Sequence, residues 1–142
     1  MKPLIFAISG YKNSGKTTLM TALIAELTLR GYRVATIKHD GHDFEPDVPE
    51  TDSFRHREAG AYGTAVFSRN RFMITKTWEQ VDVDSLISAF PEADILLLEG
   101  FKDSSYPKYF CRWPEQPLPG ASELADEIER LIQDEGLLRT DH

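Results

Sequence analysis

The stretch GYKNSGKTTLM, from Gly10 to Met20, decides the fold. Within it Gly10, Gly15, Lys16 and Thr17 satisfy G-x-x-x-x-G-K-[ST], the spacing of a phosphate-binding (Walker A) loop. Each residue type has a physical task there. The glycines let backbone N–H groups point inward, and the following helix N-terminus adds its partial positive charge. The lysine reaches the terminal phosphates, and the threonine offers a hydroxyl to a magnesium ion carried by the nucleotide. Context separates a working loop from coincidence. Leu4 to Ser9 (LIFAIS) is a nearly continuous apolar run, as a central parallel strand covered on both faces requires. Thr17 to Leu29 places Leu19, Leu23 and Leu27, with Met20 and Ile24, at helical spacing, and Gly31 supplies the stop.

Reading outward, Tyr32 to Lys38 (YRVATIK) is a second strand, which completes a β-α-β unit with a right-handed crossover. From His39 to Glu50 the pattern breaks into His, Asp, Gly and Pro, a loop composition. Asp52 or Ser53 is placed to cap a short helix running through Ala59, with Gly60 to end it. Thr64 to Phe67 and Phe72 to Thr77 are strand-like runs separated by SRNR, which reads as a hairpin at a sheet edge. Asp84 to Phe90 makes a brief helix closed by Pro91, and Asp94 to Leu98 (DILLL) is again a buried strand. Lys108 to Arg112 is one more strand. The proline-rich WPEQPLPG then leads to a last helix, about Glu123 to Gln133, with an apolar stripe of Leu124, Ile128, Leu131 and Ile132. The expected fold is α/β: a P-loop NTPase-like, mostly parallel sheet flanked by helices, with a β-hairpin at one edge. It is read as one nucleotide-binding domain over residues 1–142, with no internal repeat.

Composition narrows the partners. A net charge of -7 argues against a generic nucleic-acid binder, because sequence-independent affinity for a polyanion needs a basic face. The single cysteine, Cys111, permits neither an internal disulfide nor a multi-thiolate metal site, and reads as a small buried hydrophobe. The opening MKPLIFAIS is too short for a signal peptide and runs directly into the loop, and no stretch is long and apolar enough to span a bilayer. The expectation is a cytoplasmic protein that binds phosphate locally and neither nucleic acid nor membrane.

A phosphate loop of this kind needs a second acid at the carboxyl end of a neighbouring strand. DILLLEG supplies Glu99 there, a Walker B candidate in which glutamate replaces the usual aspartate. Lys16 and Glu99 are thus the candidate catalytic pair. After the second strand, Lys38, His39 and Asp40 are placed to approach the γ-phosphate and its metal, which makes Thr17, Asp40 and Glu99 the candidate magnesium ligands. Lys12 adds charge to the bound phosphates or points into solvent. His39, His42 and Asp43 also admit a transition-metal reading.

Three linked segments, GYKNSGKTTL, IKHDGHDFEPDVPETDSFRHREAGA and ILLLEGFK, give the chain a resemblance to the molybdopterin-guanine dinucleotide biosynthesis protein B (MobB) family over most of Ile5 to Lys102. The middle segment is the most distinctive: Asp52, Ser53, Arg55, Ala59, Gly60 and Ala61 follow a KHD-rich loop that ordinary P-loop enzymes lack. The resemblance implies a homodimeric GTP-binding protein with weak magnesium-dependent GTPase activity. It would assist a MobA-type molybdopterin-guanine dinucleotide nucleotidyltransferase, with molybdopterin or its guanine dinucleotide as a further partner. The family pattern assigns Gly10, Tyr11, Lys12, Asn13, Ser14, Gly15, Lys16, Thr17 and Thr18 to the nucleotide phosphates, and Thr17 with Glu99 to magnesium. It also implies a second anion or cofactor surface at the AGA segment and guanine contacts near Arg112 to Pro117. The residues alone leave ATP and GTP equally open, because no N-K-x-D tetrapeptide occurs. Two other functions compete. One is a small-molecule kinase or ligase-like transferase of dethiobiotin synthetase type, which shares the strand-end Glu-Gly; the other is a metal-delivering GTPase.

Overall fold

The computed structural model describes residues 2–39 and 51–135. In chain order the elements are β1 (Leu4–Gly10), α1 (Lys16–Leu29), β2 (Val34–Lys38), α2 (Asp52–Glu58), β3 (Gly63–Phe67), β4 (Phe72–Lys76), α3 (Val83–Ile87), β5 (Ile95–Glu99), β6 (Lys108–Cys111) and α4 (Ala121–Asp134). They fall into two compact units. One comprises the described residues up to His39 together with those from Val83 onward, and the other those from Thr51 to Asp82.

The larger unit is a four-stranded parallel sheet in the order β2-β5-β1-β6. β5 therefore lies between β1 and β2, so the β1-α1-β2 connection passes over one strand and does not join neighbours. The reason is visible in β5 itself. Ile95 and Leu97 enter one core with Leu4, Phe6 and Ile8 of β1, beneath α1 and α4, while Leu96 and Leu98 enter a second core with Ile37 and the partly buried Val83 and Ile87 of α3. A strand whose four apolar residues are all shielded from water must have a neighbour on each side and a layer on each face. Each such side chain contributes about 1.5–3 kcal/mol relative to exposure.

α1 buries Leu19, Met20, Leu23 and Leu27, and α4 buries Leu124, Ala125, Ile128 and Ile132. α1 ends in a Schellman turn: Gly31 at φ +94° lets its own N–H reach the Thr28 carbonyl and the Tyr32 N–H reach that of Leu27. Arg30, the last residue of that turn, ties the two helices together by donating to Glu26 (2.8 Å), Asp126 (2.8 Å) and Glu129 (2.6 Å).

The smaller unit carries α2 and the β3-β4 hairpin. Thr51, and not Asp52 or Ser53, is the N-cap of α2, its hydroxyl accepting from the Phe54 N–H at 3.4 Å. All three residue types cap well, and the chain enters the helix one residue earlier than their order suggests. β3 and β4 pair antiparallel from Gly63↔Lys76 to Phe67↔Phe72, as the SRNR turn implied. Among the described residues they form a two-stranded sheet of their own, not an added edge of the parallel one.

Candidate functional site

The loop joining β1 to α1 has the backbone of a cradle. Gly10 takes φ +149°, Asn13 φ +62° and Gly15 φ +91°. A Cβ on Gly10 would collide with the Ser14 hydroxyl and come within 2.9 Å of the Cys111 carbonyl, while one on Gly15 would meet Leu118 Cδ1 at 2.9 Å. Glycine is required at Gly10 by φ and by the backbone carbonyl it would strike, and at Gly15 by φ.

Gly15 is the N-cap of α1 and provides no side-chain cap, and the first turn contains no acid. The first intrahelical bond runs from the Leu19 N–H to the Gly15 carbonyl at 2.9 Å, which leaves the N–H groups of Lys16, Thr17 and Thr18 without intrahelical acceptors. By contrast, α2 has the Thr51 cap with Asp52 in its first turn, and α4 has Glu123. The positive end of the α1 dipole is thus left for an external anion. Beneath it Ser14 is 4% exposed and its buried hydroxyl has no hydrogen-bond partner, a polar atom of the kind that proteins rarely leave unmatched. The Lys16 ammonium arches back over the loop and donates to the Gly10 carbonyl at 2.9 Å. A phosphate chain fits this donor set: backbone N–H groups, a buried hydroxyl and an ammonium.

The parallel register brings Glu99 opposite Ile8 of β1 and Lys38 of β2, at the end of the sheet where the loop begins. Its side chain is only 12% exposed and lies 3.5 Å from the Lys38 ammonium, and Thr17 donates to its Oε1 at 3.5 Å. The hydroxyl and carboxylate expected at magnesium are therefore adjacent, from residues 82 apart in sequence. Among the described residues no three His, Cys, Asp or Glu side chains converge. Magnesium does not need such a cage, because it keeps waters and takes one or two protein oxygens plus phosphates. Asp40, His42 and Asp43 lie outside the described residues. His39 is placed beside the site, its ring 6.1 Å from that of Phe101.

Next to the loop opens a cavity of about 570 Å³, lined by the loop's leading limb, His39 and the segment Gly100–Ser104. Phe101 and Lys102 were not singled out in the sequence as site residues. Phe101 takes φ +56° directly after Gly100 at φ +102°, a conformation that its residue type does not announce. Lys102 places its ammonium 5.2 Å over the Tyr11 ring, which meets Phe110 edge-on at 5.4 Å. Arg112 lies 4.7 Å over Phe110. Cys111 is fully buried beneath the loop. Burial pushes its thiol up and the Lys16 charge opposes this, so it is a packing residue and not a nucleophile. Arg55, His56 and Arg57 close the last turn of α2, and Ala59, Gly60 and Ala61 follow in the smaller unit. No helix of the described residues is long and apolar enough to cross a membrane.

Comparison with known proteins agrees with this architecture. The family model "Molybdopterin guanine dinucleotide synthesis protein B" matches residues 5–117. The chain is 39% identical over 124 residues to a molybdopterin-guanine dinucleotide biosynthesis adapter protein of Haemophilus influenzae, covering 84% of this chain and 70% of that protein. It is 39% identical over 113 residues to that of Escherichia coli, covering 76% of this chain and 64% of that protein. Among solved structures, Bacillus subtilis MobB superposes with a TM-score of 0.66 at 34% identity, over 78% of this chain and 68% of that one. The matched relatives are thus longer, and this chain spans about two thirds of their length. With the phosphate loop, the buried strand ending in Glu99 and the family match over the same residues, the chain belongs to the molybdopterin guanine dinucleotide synthesis protein B (MobB) family.

Proposed function

We propose that this chain is a GTP-binding adapter in molybdopterin guanine dinucleotide synthesis, which holds the nucleotide with magnesium for a MobA-type nucleotidyltransferase and hydrolyses it slowly. The observation that carries the nucleotide reading is the uncapped α1 N-terminus above the buried, unpartnered Ser14 hydroxyl. Lys16 supplies the charge for the terminal phosphates, and Thr17 with Glu99 suits the accompanying cation by donor chemistry. Slow turnover is expected because neither a glutamine nor an arginine is among the residues that line the cavity beside the loop. The adapter role rests on the names of the relatives.

The smaller unit supports a homodimer. Its hairpin exposes Phe67 (82%), Phe72 (71%) and Ile74 (57%), an apolar surface that a solvated two-stranded sheet does not keep without a partner. A second copy packed face to face on this side of the hairpin would cover it.

Titration of GTP, ATP and GMP onto the purified protein tests the base; equal affinity for ATP and GTP counts against the reading. Adding the protein to a nucleotidyltransferase supplied with molybdopterin and GTP tests the role, and unchanged product formation sinks it. Turnover of a small-molecule acceptor without any partner protein would instead favour the transferase.

A further inference from the structure

We propose that Lys38 competes with the divalent cation for the Glu99 carboxylate, so that the cation is held firmly only beside a nucleotide whose terminal phosphate receives the displaced ammonium. Lys38 thus ties metal uptake to the nucleotide and sets a preference for triphosphate over diphosphate. This deepens the nucleotide reading and rests on it.

Register is the first argument. β2 and β5 pair in parallel with Lys38 opposite Glu99, and β5 pairs with β1 with Glu99 opposite Ile8. Three strand ends therefore lie level at the carboxyl edge of the sheet, where α/β sheets bind ligands. Lys38 comes to the site by the same rule that brings Glu99.

Geometry is the second. Thr17 of α1 donates to Oε1 of Glu99, and Nζ of Lys38 lies beside Oε2, each at 3.5 Å. One carboxylate is thus shared between the hydroxyl suited to magnesium and an ammonium group. A divalent cation at Thr17 and Glu99 has that ammonium as its neighbour on the same acid, and like charges brought together there repel. Among the described residues no other cation is paired with Glu99.

Exposure is the third. The Glu99 side chain is 12% exposed and that of Lys38 65%. The acid is fixed and short of water, so it keeps a counter-ion; the ammonium stands in solvent on a flexible stem, so it is the partner that moves. As a structural contact the pair does little, because ion pairs with an exposed partner add little to stability. As a gate it does more. Magnesium parts reluctantly with its waters and is held by one or two carboxylates together with phosphates, so competition at Glu99 weakens it where no phosphate is supplied. A terminal phosphate relieves the competition by offering the ammonium a charge-assisted partner of its own.

The test titrates manganese, which suits the same oxygen donors, onto the purified protein and follows the free ion by electron paramagnetic resonance. Titrations are run without nucleotide and with a saturating non-hydrolysable GTP analogue. Without nucleotide, Lys38→Met should bind manganese at least about fivefold more tightly than wild type, and the factor by which the analogue tightens manganese should fall as much, the lower end of ordinary coupling between sites. Calorimetric titration should show the preference for the analogue over GDP reduced at least about tenfold, the loss of one charge-assisted contact. Lys38→Arg, which keeps the charge, should bind manganese as weakly as wild type, and the gain in Lys38→Met should vanish when Glu99→Gln is added. Circular dichroism checks that each variant folds. Nucleotide-free manganese affinity that is unchanged or lower in Lys38→Met overturns the competition, because a residue that merely orients Glu99 loses affinity when removed. An unchanged preference for the analogue over GDP overturns the transfer to the phosphate. If wild type binds neither nucleotide, the nucleotide reading fails by itself, and the nucleotide-free titration still decides whether Lys38 competes for Glu99.

Discussion

Replacing Gly10 with alanine tests whether the phosphate cradle is set by backbone geometry and close packing, with Gly31→Ala as the matched control. Both glycines have positive φ, +149° and +94°. They differ in surroundings. A Cβ at Gly31 meets nothing within 4 Å, whereas one at Gly10 meets the Ser14 hydroxyl and comes within 2.9 Å of the Cys111 carbonyl. That carbonyl belongs to β6, which is paired in register with β1 at Gly10↔Cys111, so it cannot yield without breaking the sheet. Gly31→Ala should cost only the backbone conformation, about 1–2 kcal/mol. Gly10→Ala adds to a similar conformational cost the overpacking of a closed site, about 1–3 kcal/mol more. Chemical denaturation followed by circular dichroism, at constant m-value, measures both. Near the midpoint each kcal/mol lowers Tm by roughly 3–5 °C for a chain of this size. Gly10→Ala should also lose nucleotide affinity while Gly31→Ala keeps it, because relief of the clash displaces Ser14 from beneath the α1 N-terminus. Equal destabilisation of the two variants, or full nucleotide affinity in Gly10→Ala, refutes the cradle geometry.

Lys16→Ala should lower GTP affinity at least about tenfold with Tm unchanged within about 2 °C, since its one internal bond is to the Gly10 carbonyl; calorimetric titration reads it, and wild-type affinity would contradict the assignment. Glu99→Ala should abolish the gain in GTP affinity or hydrolysis that magnesium brings and affect magnesium-free binding much less, as a magnesium titration of each protein would show. Tyr32 should ionise well above the ordinary phenol range. Burial and its 2.6 Å bond to Glu129 push the phenol from about 10 up to about 12, so the native state retains a proton that the unfolded chain gives up. Its contribution is complete below pH 10 and is lost as pH rises toward 12; phenolate absorbance should lose a phase near pH 12 in Tyr32→Phe, and an unchanged titration would refute the contact. The proposed homodimer is tested in the hairpin: sedimentation of the wild type as a monomer refutes it, and Phe72→Glu should turn a dimeric wild type into a monomer.

What could be read from the residues, and what could not, divides along a physical line. LIFAIS and DILLL are legible as central strands because each side chain in them has to be buried whichever face it takes, so the run itself records a layer on either side. The phosphate loop is legible because its demands are local: φ at Gly10 and Gly15, an ammonium at Lys16 and a hydroxyl at Thr17 are satisfied within eight residues. Glu99 is legible for a related reason, since a charged residue ending an apolar strand has to emerge at the sheet's carboxyl edge. Strand order is different. Nothing in YRVATIK shows that β5 will come between it and β1, because a parallel strand pairs equally well with either neighbour and the choice is made by the packing of α1, α3 and α4 together. The cavity fails to show for the same reason. Phe101 looks like a strand-end hydrophobe and Lys102 like a solvated lysine. Their roles exist only because a positive φ turns one, and the Tyr11 ring on another loop positions the other. The contact of Leu118 with Gly15 joins residues 103 positions apart and gives a proline-rich link a place against the phosphate loop that its composition never suggested. A site whose chemistry sits in one loop is therefore readable from sequence, while a site assembled from the ends of separate strands has to be seen folded before its residues can be told from surface.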